Sequence, residues 1–332
     1  MKRLLSLLLG LAILAVAFLT LAPLLWPILP SATIFAPMAP QCAALGAVLA
    51  VIAVLAGRRK LAALSLIAAV WNAQLIWPDV SPFREVSAAA GRPVIKVINF
   101  NLRFKDERLD AVADYLIASG ADIVGLVEAT PRSKAALARL KTAYPYSVDC
   151  IETVPECQNM LFSKYPLKSA YAGPIDGRYP TIALAEVDLP GGGSVAVAVA
   201  HVMTPFTGPR GPLTAVDPGQ PSPVFADAPD LEQSHQAANL ADFLQRQPMD
   251  LVLVGDFNSA PWSPIQQAFR AATGLDDRGH LLPTWPTSIW SIFRLPLDPV
   301  FVRGRVQVMA IRLGPDVGSD HFPVEAEIAF TR

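Results

Sequence analysis

Charge is missing from the front of this chain. Between Arg3 and Arg58 lie 54 residues without an Asp, Glu, Lys or Arg, and a second charge-free run covers Leu61–Pro78. A bilayer crossing needs about 20 apolar residues, so stretches this long argue against a helical hairpin buried in a soluble core. A cleavable leader is not the better reading. Met1-Lys2-Arg3 and the run after it begin like a signal peptide, but the run is long and no small-residue cleavage site closes it. Basic clusters are missing from the rest. Residues 1–84 hold six basic residues and one acidic, which leaves 21 basic against 27 acidic for 85–332, a net of −6. Proteins that grip duplex phosphates concentrate Lys and Arg, so nucleic acid is disfavoured as a partner. Cysteine is scarce, with three in the chain. Internal repeats are absent, and nothing in the pattern specifies an oligomer.

What is present at the front is hydrocarbon. The chain is 52% hydrophobic with a mean hydropathy of +0.39, too apolar for an ordinary soluble enzyme. The spacing predicts three spans: Leu4–Leu25, about Phe35–Gly57 and about Leu61–Trp77. Pro23, Pro27 and Pro30 break the first near the interface, with Trp26 as an anchor there, and Trp71 and Trp77 sit towards the far end of the third. Lys2, Arg3 and the cluster Arg58-Arg59-Lys60 should stay on the cytoplasmic side. Three crossings then carry everything beyond Pro78 outside the cytoplasmic membrane, whereas two would leave it inside. Residues 1–78 form a membrane domain, 79–93 a polar, Ala-rich linker, and 94–332 a globular domain. Cys42 lies in a span. Cys150 and Cys157 lie in the globular part with six residues between them. In an exported domain they should form a bridge; in a cytoplasmic one they would be free thiols.

The globular part is organised around Leu251-Val252-Leu253-Val254-Gly255-Asp256-Phe257-Asn258-Ser259. Unbroken aliphatics suit a strand buried on both faces. Gly255 lets the backbone turn, and Asp256 and Asn258, two apart, share a face. A carboxylate and an amide at a strand mouth can orient a water and bind a phosphoryl oxygen; an Asx turn capping the strand explains the same residues. Further strands are expected at Val94–Phe100, Asp122–Val127, Met160–Phe162, Ile182–Val187, Val195–Ala200, Leu297–Val302, Val306–Leu313 and Val324–Phe330. Helices are expected at Asp106–Ser119, Ser133–Ala143 and Leu231–Arg246. Thr204–Asp230, rich in Pro and Gly, reads as a long loop. Strands alternate with helices, but several are paired as hairpins. The fold class is therefore α/β (α+β): a four-layer sandwich of two mixed β-sheets flanked by helices, behind N-terminal transmembrane helices.

Asn101, Glu128, His201, Asp256, Asn258, Asp298 and His321 each sit at or near an end of one of these strands, where strand ends of packed sheets converge. The order of Phe100-Asn101, Leu126-Val127-Glu128, Leu161-Phe162-Ser163-Lys164-Tyr165-Pro166, Gly255-Asp256-Phe257-Asn258, Leu297-Asp298 and Ser319-Asp320-His321 resembles the endonuclease/exonuclease/phosphatase superfamily over about Val94–Phe330. The spans in front resemble its membrane-anchored bacterial branch. The resemblance implies a Mg²⁺ (or Mn²⁺) held by Asn101 and Glu128 with Asp320 close by. Asp256 would orient or deprotonate the attacking water, and Asn258 would hold that water or a phosphoryl oxygen. His321 would contact the scissile phosphate with its ring fixed by Asp298, and His201 matches a second histidine of the DNase-like members.

Two departures stand out. Arg103 stands where some relatives place an acid, and the segment after His201 runs into the Pro/Gly-rich loop. His235 and His280 receive no role, and Asp217, Asp227 and Asp230 read as solvated loop charges. Trp285 and Trp290 suit either a pocket near the membrane or the core. The expected function is a membrane-anchored, metal-dependent hydrolase of phosphate esters or anhydrides. The lipid-linked phosphates are the favoured substrates, because spans and substrate share a surface and Phe206, Leu213, Val216 and Phe225 of the loop could lean on a lipid. The alternatives are an extracytoplasmic DNase-like nuclease and a non-catalytic tethered binding protein.

Overall fold

The computed structural model describes residues 2–26, 28–80, 94–103, 108–154, 157–175, 177–190, 192–205, 229–248, 250–277 and 282–330. The apolar front forms three helices, α1 (Lys2–Leu21), α2 (Ala39–Leu55) and α3 (Arg59–Val80). The 3₁₀ turns Ala22–Leu25 and Pro30–Met38 join the first two. Arg3–Leu25, Ala32–Leu55 and Arg59–Asp79 are each long and apolar enough to cross a membrane. Leu7, Leu11, Leu14 and Phe18 keep more than half their surface exposed, a face that suits lipid and not water. Polar groups inside the bundle are paired. Asn72 donates to Thr20 Oγ1 (2.7 Å) and Ala68 O (2.8 Å), and Ser65 Oγ donates to Gly46 O (2.8 Å). At Gly46 a Cβ would lie 3.2 Å from the Ala69 Cβ, so glycine lets α2 and α3 approach closely. Thr20 is near the end of α1 and Asn72 near the end of α3, so these helices run the same way. Lys2, Arg3 and the Arg58–Lys60 turn lie at the opposite end. Asp79 and Val80, expected in a linker, complete α3; residues 81–93 lie outside the described part.

From Val94 the chain builds a sandwich. Its strands are β1 (Val94–Asn101), β2 (Ile123–Val127), β3 (Tyr146–Asp149), β4 (Met160–Ser163), β5 (Leu167–Ile175) and β6 (Arg178–Asp188). β7 (Ser194–His201), β8 (Leu251–Asp256), β9 (Val300–Arg303), β10 (Val306–Leu313) and β11 (Val324–Phe330) follow. The helices are α4 (Leu109–Ala118), α5 (Pro131–Ala136), α6 (Pro229–Gln245) and α7 (Pro264–Thr273). The first sheet has the order β10-β11-β1-β2-β4-β3 and the second β5-β6-β7-β8-β9. The β1–β2 and β7–β8 pairs are parallel and the rest antiparallel, so both sheets are mixed.

The sheets pack through aliphatic faces including Val97, Ile123, Val199, Val252, Val254 and Ile328, all fully buried. Gly125 lets them approach closely, since a Cβ there would stand 2.4 Å from Val254 Cγ2. α4, α5 and the 3₁₀ turn Leu137–Thr142 cover the outer face of the first sheet through Val112, Leu116, Leu137 and Leu140. α6 and α7 cover the second around the rings of Phe257, Phe269 and Phe301, packed edge to face or tilted with centroids 5.0–5.5 Å apart. This is the four-layer arrangement expected from the alternation of elements.

Three elements were not foreseen: the edge strands β3 and β5, and α7. The expected strand Leu297–Val302 starts only at Val300, and Ser133–Ala143 divides into α5 and a 3₁₀ turn. Most of the expected Thr204–Asp230 loop, with Phe206, Leu213, Asp217, Val216, Phe225 and Asp227, lies outside the described residues, as does His280; α6 already begins at Pro229. Cys150 and Cys157 are bonded to each other, with Cα atoms 5.6 Å apart, and Cys42 is free and buried in the bundle.

The helical front is docked on the sandwich. Trp262, fully buried between Ala39 and Ala260, donates its indole N–H to Ala36 O (2.7 Å). At the end of α3, Asp79 Oδ1 accepts from Arg270 Nη1 of α7 (2.7 Å), which also serves Asp277 Oδ1 (2.9 Å).

Candidate active site

Strand register brings the polar ends together. Parallel pairing of β7 and β8 sets His201 opposite Asp256, and pairing of β1 with β2 sets Asn101 opposite Val127, one residue before Glu128. Gly255 is needed one step inside β8. Its φ is +151° and a Cβ would fall 1.7 Å from Ala200 O, so the glycine serves close strand approach and not the turn. The turn is made after the strand. Asp256 Oδ1 accepts from Asn258 N (2.7 Å) in an Asx turn, and Asn258 adopts φ +47°. The Asx-turn reading of this motif holds: one carboxylate oxygen caps the turn, and the other faces inward. Glu128 also has a left-handed φ of +55°. Such backbone costs about 1–3 kcal/mol for a non-glycine residue and clusters at functional sites.

The inward oxygen, Asp256 Oδ2, accepts from Asn101 Nδ2 (2.9 Å), which also donates to Glu128 Oε1 (3.0 Å). Asn101 Oδ1 accepts from the Arg103 amide (2.8 Å). His201 Nε2 lies 3.8 Å from Glu128 Oε1 and 3.9 Å from Asp256 Oδ2, and receives the Asn258 amide at 3.1 Å. An amide N–H aimed at Nε2 requires that nitrogen to be the acceptor, which leaves the ring proton on Nδ1. On the other side His321 Nδ1 donates to Asp298 Oδ2 (2.8 Å), and Nε2 faces Asp256 Oδ2 at 3.7 Å. Ser319 fixes this histidine: its hydroxyl donates to Asn101 O (2.8 Å) and accepts from His321 N (3.1 Å).

Each histidine thus meets a carboxylate from the opposite sheet. Burial, then the Asp298 carboxylate, pushes the Asp256 carboxyl up to about 8, with His321 working against both. Burial alone would lower His321. The Asp298 charge and hydrogen bond outweigh it and push the ring up to about 10.

Of the residues singled out in the sequence, Asn101, Glu128, His201, Asp256, Asn258, Asp298 and His321 meet in this mouth. Asp320 does not join the closest groups. Its carboxylate accepts from Trp285 Nε1 (3.2 Å) and lies 4.0 Å from Arg103 Nε. Among the described residues, two sets have ligand atoms close enough to share an ion: Glu128, His201 and Asp256, and Asp256, Asp298 and His321. The first set with Asn101 offers oxygens and an imidazole, a donor set that fits Mg²⁺ or Mn²⁺. Asn101 would then turn its amide over to present Oδ1.

Two supports were missed in the sequence. Asn99 bridges the sheets, donating to Gly255 O (2.8 Å) and Pro299 O (3.1 Å). The signal was there: an Asn inside the apolar run of β1. Gln233 of α6 donates to Phe257 O (3.2 Å) and Asn258 O (3.1 Å) and holds the turn from outside. Trp285 is half-buried beside His321, with ring centroids 6.3 Å apart, whereas Trp290 is 78% exposed and belongs to no core.

Solved structures share this fold. An endonuclease/exonuclease/phosphatase from Beutenbergia cavernae has 19% identity over 72% of each chain and a TM-score of 0.55. Sphingomyelinase C from Streptomyces griseocarneus has 17% identity over 71% of this chain and 99% of its own, with a TM-score of 0.51. A beta toxin variant from Staphylococcus aureus, solved with bound magnesium ions, has 15% identity over 72% of this chain and 100% of its own, with a TM-score of 0.50. No curated protein sequence matches the chain. A family model matches residues 71–321, which takes in every residue of the mouth: the chain belongs to the endonuclease/exonuclease/phosphatase family.

Proposed function

We propose that this chain is a membrane-anchored hydrolase of phosphate esters or anhydrides that uses Mg²⁺ or Mn²⁺ and works outside the cytoplasmic membrane. The observation that carries the reading is the crossed pairing in the mouth, His321 with Asp298 and His201 with Glu128, closed around Asp256 and Asn101. Glu128 and Asn101 are the residues that would hold the metal, which supplies positive charge against the phosphoryl oxygens and the departing oxygen. Asp256 is held rigid through Oδ1 and would turn Oδ2, which takes one hydrogen bond from Asn101, toward a water. Asn258, whose amide N–H groups serve His201 Nε2 and Val202 O, would exchange the His201 bond to hold a phosphoryl oxygen or that water. Asp298 orients the His321 ring through Nδ1–H and keeps it protonated, so that Nε2–H faces a phosphate. His201, with Nε2 as acceptor, can take a proton.

The division into a membrane part (1–78), a linker (79–93) and a catalytic part (94–332) goes with this reading. Two features support the orientation. Arg58, Arg59 and Lys60 lie at the end of the bundle away from the sandwich, where positive residues stay cytoplasmic. The Cys150–Cys157 bond suits an oxidising compartment. The likeness to a sphingomyelinase and the shared location of spans and site favour a lipid-linked phosphate over a soluble one or DNA. The test is a panel of phosphomonoesters, diesters and lipid pyrophosphates, offered to the full chain with Mg²⁺, with chelator, and to Asp256→Ala. Turnover by the wild type that chelator and the substitution remove is expected; equal turnover in all three overturns the assignment. A reporter that requires export, fused at Arg332, should be active; activity of a strictly cytoplasmic reporter there reverses the orientation.

A further inference from the structure

Beside the mouth lies a cavity of about 300 Å³ whose walls come from both parts of the molecule. Asn258 and Trp285 mark its catalytic end. Leu295 and Leu297 line it from the segment before Asp298. Ile34 and Pro37 line it from the Pro30–Met38 turn between the first two spans. Among the described residues its walls are mainly apolar, bordered by the neutral polar groups Thr33, Thr204, Gln233, Ser259 and Ser263, and no Lys, Arg, Asp or Glu lines it, so a charged group would be desolvated there without an ionic partner. An apolar group would lose only water. The docking seen at Trp262–Ala36 and Arg270–Asp79 holds the wall in place.

We infer that this cavity takes the hydrocarbon chain of a phosphate-bearing membrane amphiphile, and that the turn between the first two spans is part of the substrate site. The inference rests on the hydrolase reading only for where the phosphate sits. The position of the wall selects the occupant. Ile34 and Pro37 lie in the short connection between two helices that are long and apolar enough to cross a bilayer, so this end of the cavity opens where acyl or prenyl chains are found. A soluble ester has no chain to fill it. The spans therefore shape specificity as well as raise local concentration, and a sandwich cut free of them would lose one wall of its pocket.

The experiment uses the full chain in lipid nanodiscs. p-Nitrophenyl hexadecyl phosphate and p-nitrophenyl methyl phosphate share a leaving group and differ in the chain. The ratio of their kcat/KM values should favour the long chain in the wild type and fall by about tenfold or more in Ile34→Trp, which fills the cavity. Ile34→Ala, which only trims it, should lower the ratio less. A ratio that neither substitution moves overturns the inference. A hexadecyl phosphate carrying a diazirine on the chain supplies a readout without catalysis. Its adducts should map to Ile34–Pro37 and Trp285–Leu297 and be displaced by hexadecyl phosphate but not by methyl phosphate. Adducts confined to the outer faces of the spans also overturn it. If neither ester is hydrolysed while the adducts follow the expected map, the hydrolase reading fails and the cavity assignment stands.

Discussion

Two clusters of buried acid in this molecule differ in how their charge is answered. Between the helical front and α7, Asp79 and Asp277 share Arg270 at 2.7 and 2.9 Å. Gln266 takes the second oxygen of Asp277 (2.8 Å), and the guanidinium also reaches Pro261 O (2.8 Å). That cluster is complete in itself. In the mouth, among the described residues, Asp256 and Asp298 have histidines and the amides of Asn101 and Asn258 but no Lys or Arg, and Asp298 Oδ1 is buried without a hydrogen-bond partner. Buried carboxylates without Lys or Arg are costly, so a fold that keeps them leaves room for something positive or proton-bearing to arrive. The first cluster is a joint between two parts; the second is, on the proposed reading, the receptor for a cation.

The sharpest way to break the contrast is to neutralise one acid in each. Asp256→Asn should lower kcat by about 10²–10⁴-fold, the range for loss of a positioned acid or base, with melting temperature unchanged or raised. Asp277→Asn should leave kcat near wild type and lower the melting temperature. Steady-state rates and thermal melts on the same preparations read both, and a swapped pattern would reverse the roles given to the two clusters.

Removing the cation of the joint comes next. Arg270→Met leaves Asp79 and Asp277 buried without compensation, a change worth about 3–5 kcal/mol when a buried ion pair loses one partner. Melting should fall accordingly, and limited proteolysis should release the sandwich from the helices more readily. An unchanged melt and digest would mean that the joint does not hold in the folded protein.

A smaller effect should appear on supplying the cation that the receptor lacks. Mg²⁺ at about 100 times its Kd should stabilise the wild type by ~2.7 kcal/mol through binding linkage. Glu128→Gln, which keeps the shape and removes the charge, should lose that shift along with metal activation. If Mg²⁺ raises the melting temperature of both proteins equally, the ion binds elsewhere.

The receptor was far more legible in the sequence than the joint. Glu128, His201 and Asp256 each close an apolar run, and Asn101 closes one interrupted by Lys96 and Asn99, so the runs mark their strands and chain direction puts them at one mouth. The side-chain direction of Asp320 was not legible: its neighbour in the Ser-Asp-His motif turns inward, while Asp320 takes the indole N–H of Trp285 at the edge of the mouth. Arg270 and Asp79 are 191 positions apart with no periodic pattern linking them. Ile34 fell just before the second expected span and Pro37 just inside it, and neither drew notice, because a cavity wall built by packing two parts leaves no local trace. α7 carried weak signals: Ser263 before Pro264 as a cap and Gly274 in the left-handed conformation at its end. Its Gln-rich middle hid them. β5 was hidden by its exposed, weakly alternating residues, as expected of an edge strand.

A third acid, on the outer side of the first sheet, completes the comparison by having more cation than it needs. Glu325 of β11 accepts from Tyr115 Oη (2.8 Å), Arg312 Nη2 (2.8 Å) and Lys96 Nζ (2.8 Å). Burial disfavours its charge, but the hydrogen bonds from Lys96, Tyr115 and Arg312 outweigh burial and hold the carboxyl below its ordinary value. The unfolded chain therefore binds this proton at a higher pH than the folded one. Stability from the group is fully present above the unfolded value, about 4.3, and is lost as pH falls through the folded value. Arg312 is largely exposed, so the expected contribution is small, about 1 kcal/mol or less. Glu325→Gln should melt slightly below the wild type at pH 7, and the two should converge as the pH falls below about 4. Melts of both proteins across that range are the check, and parallel curves with a constant offset would show that the charge of Glu325 plays no part in acid stability.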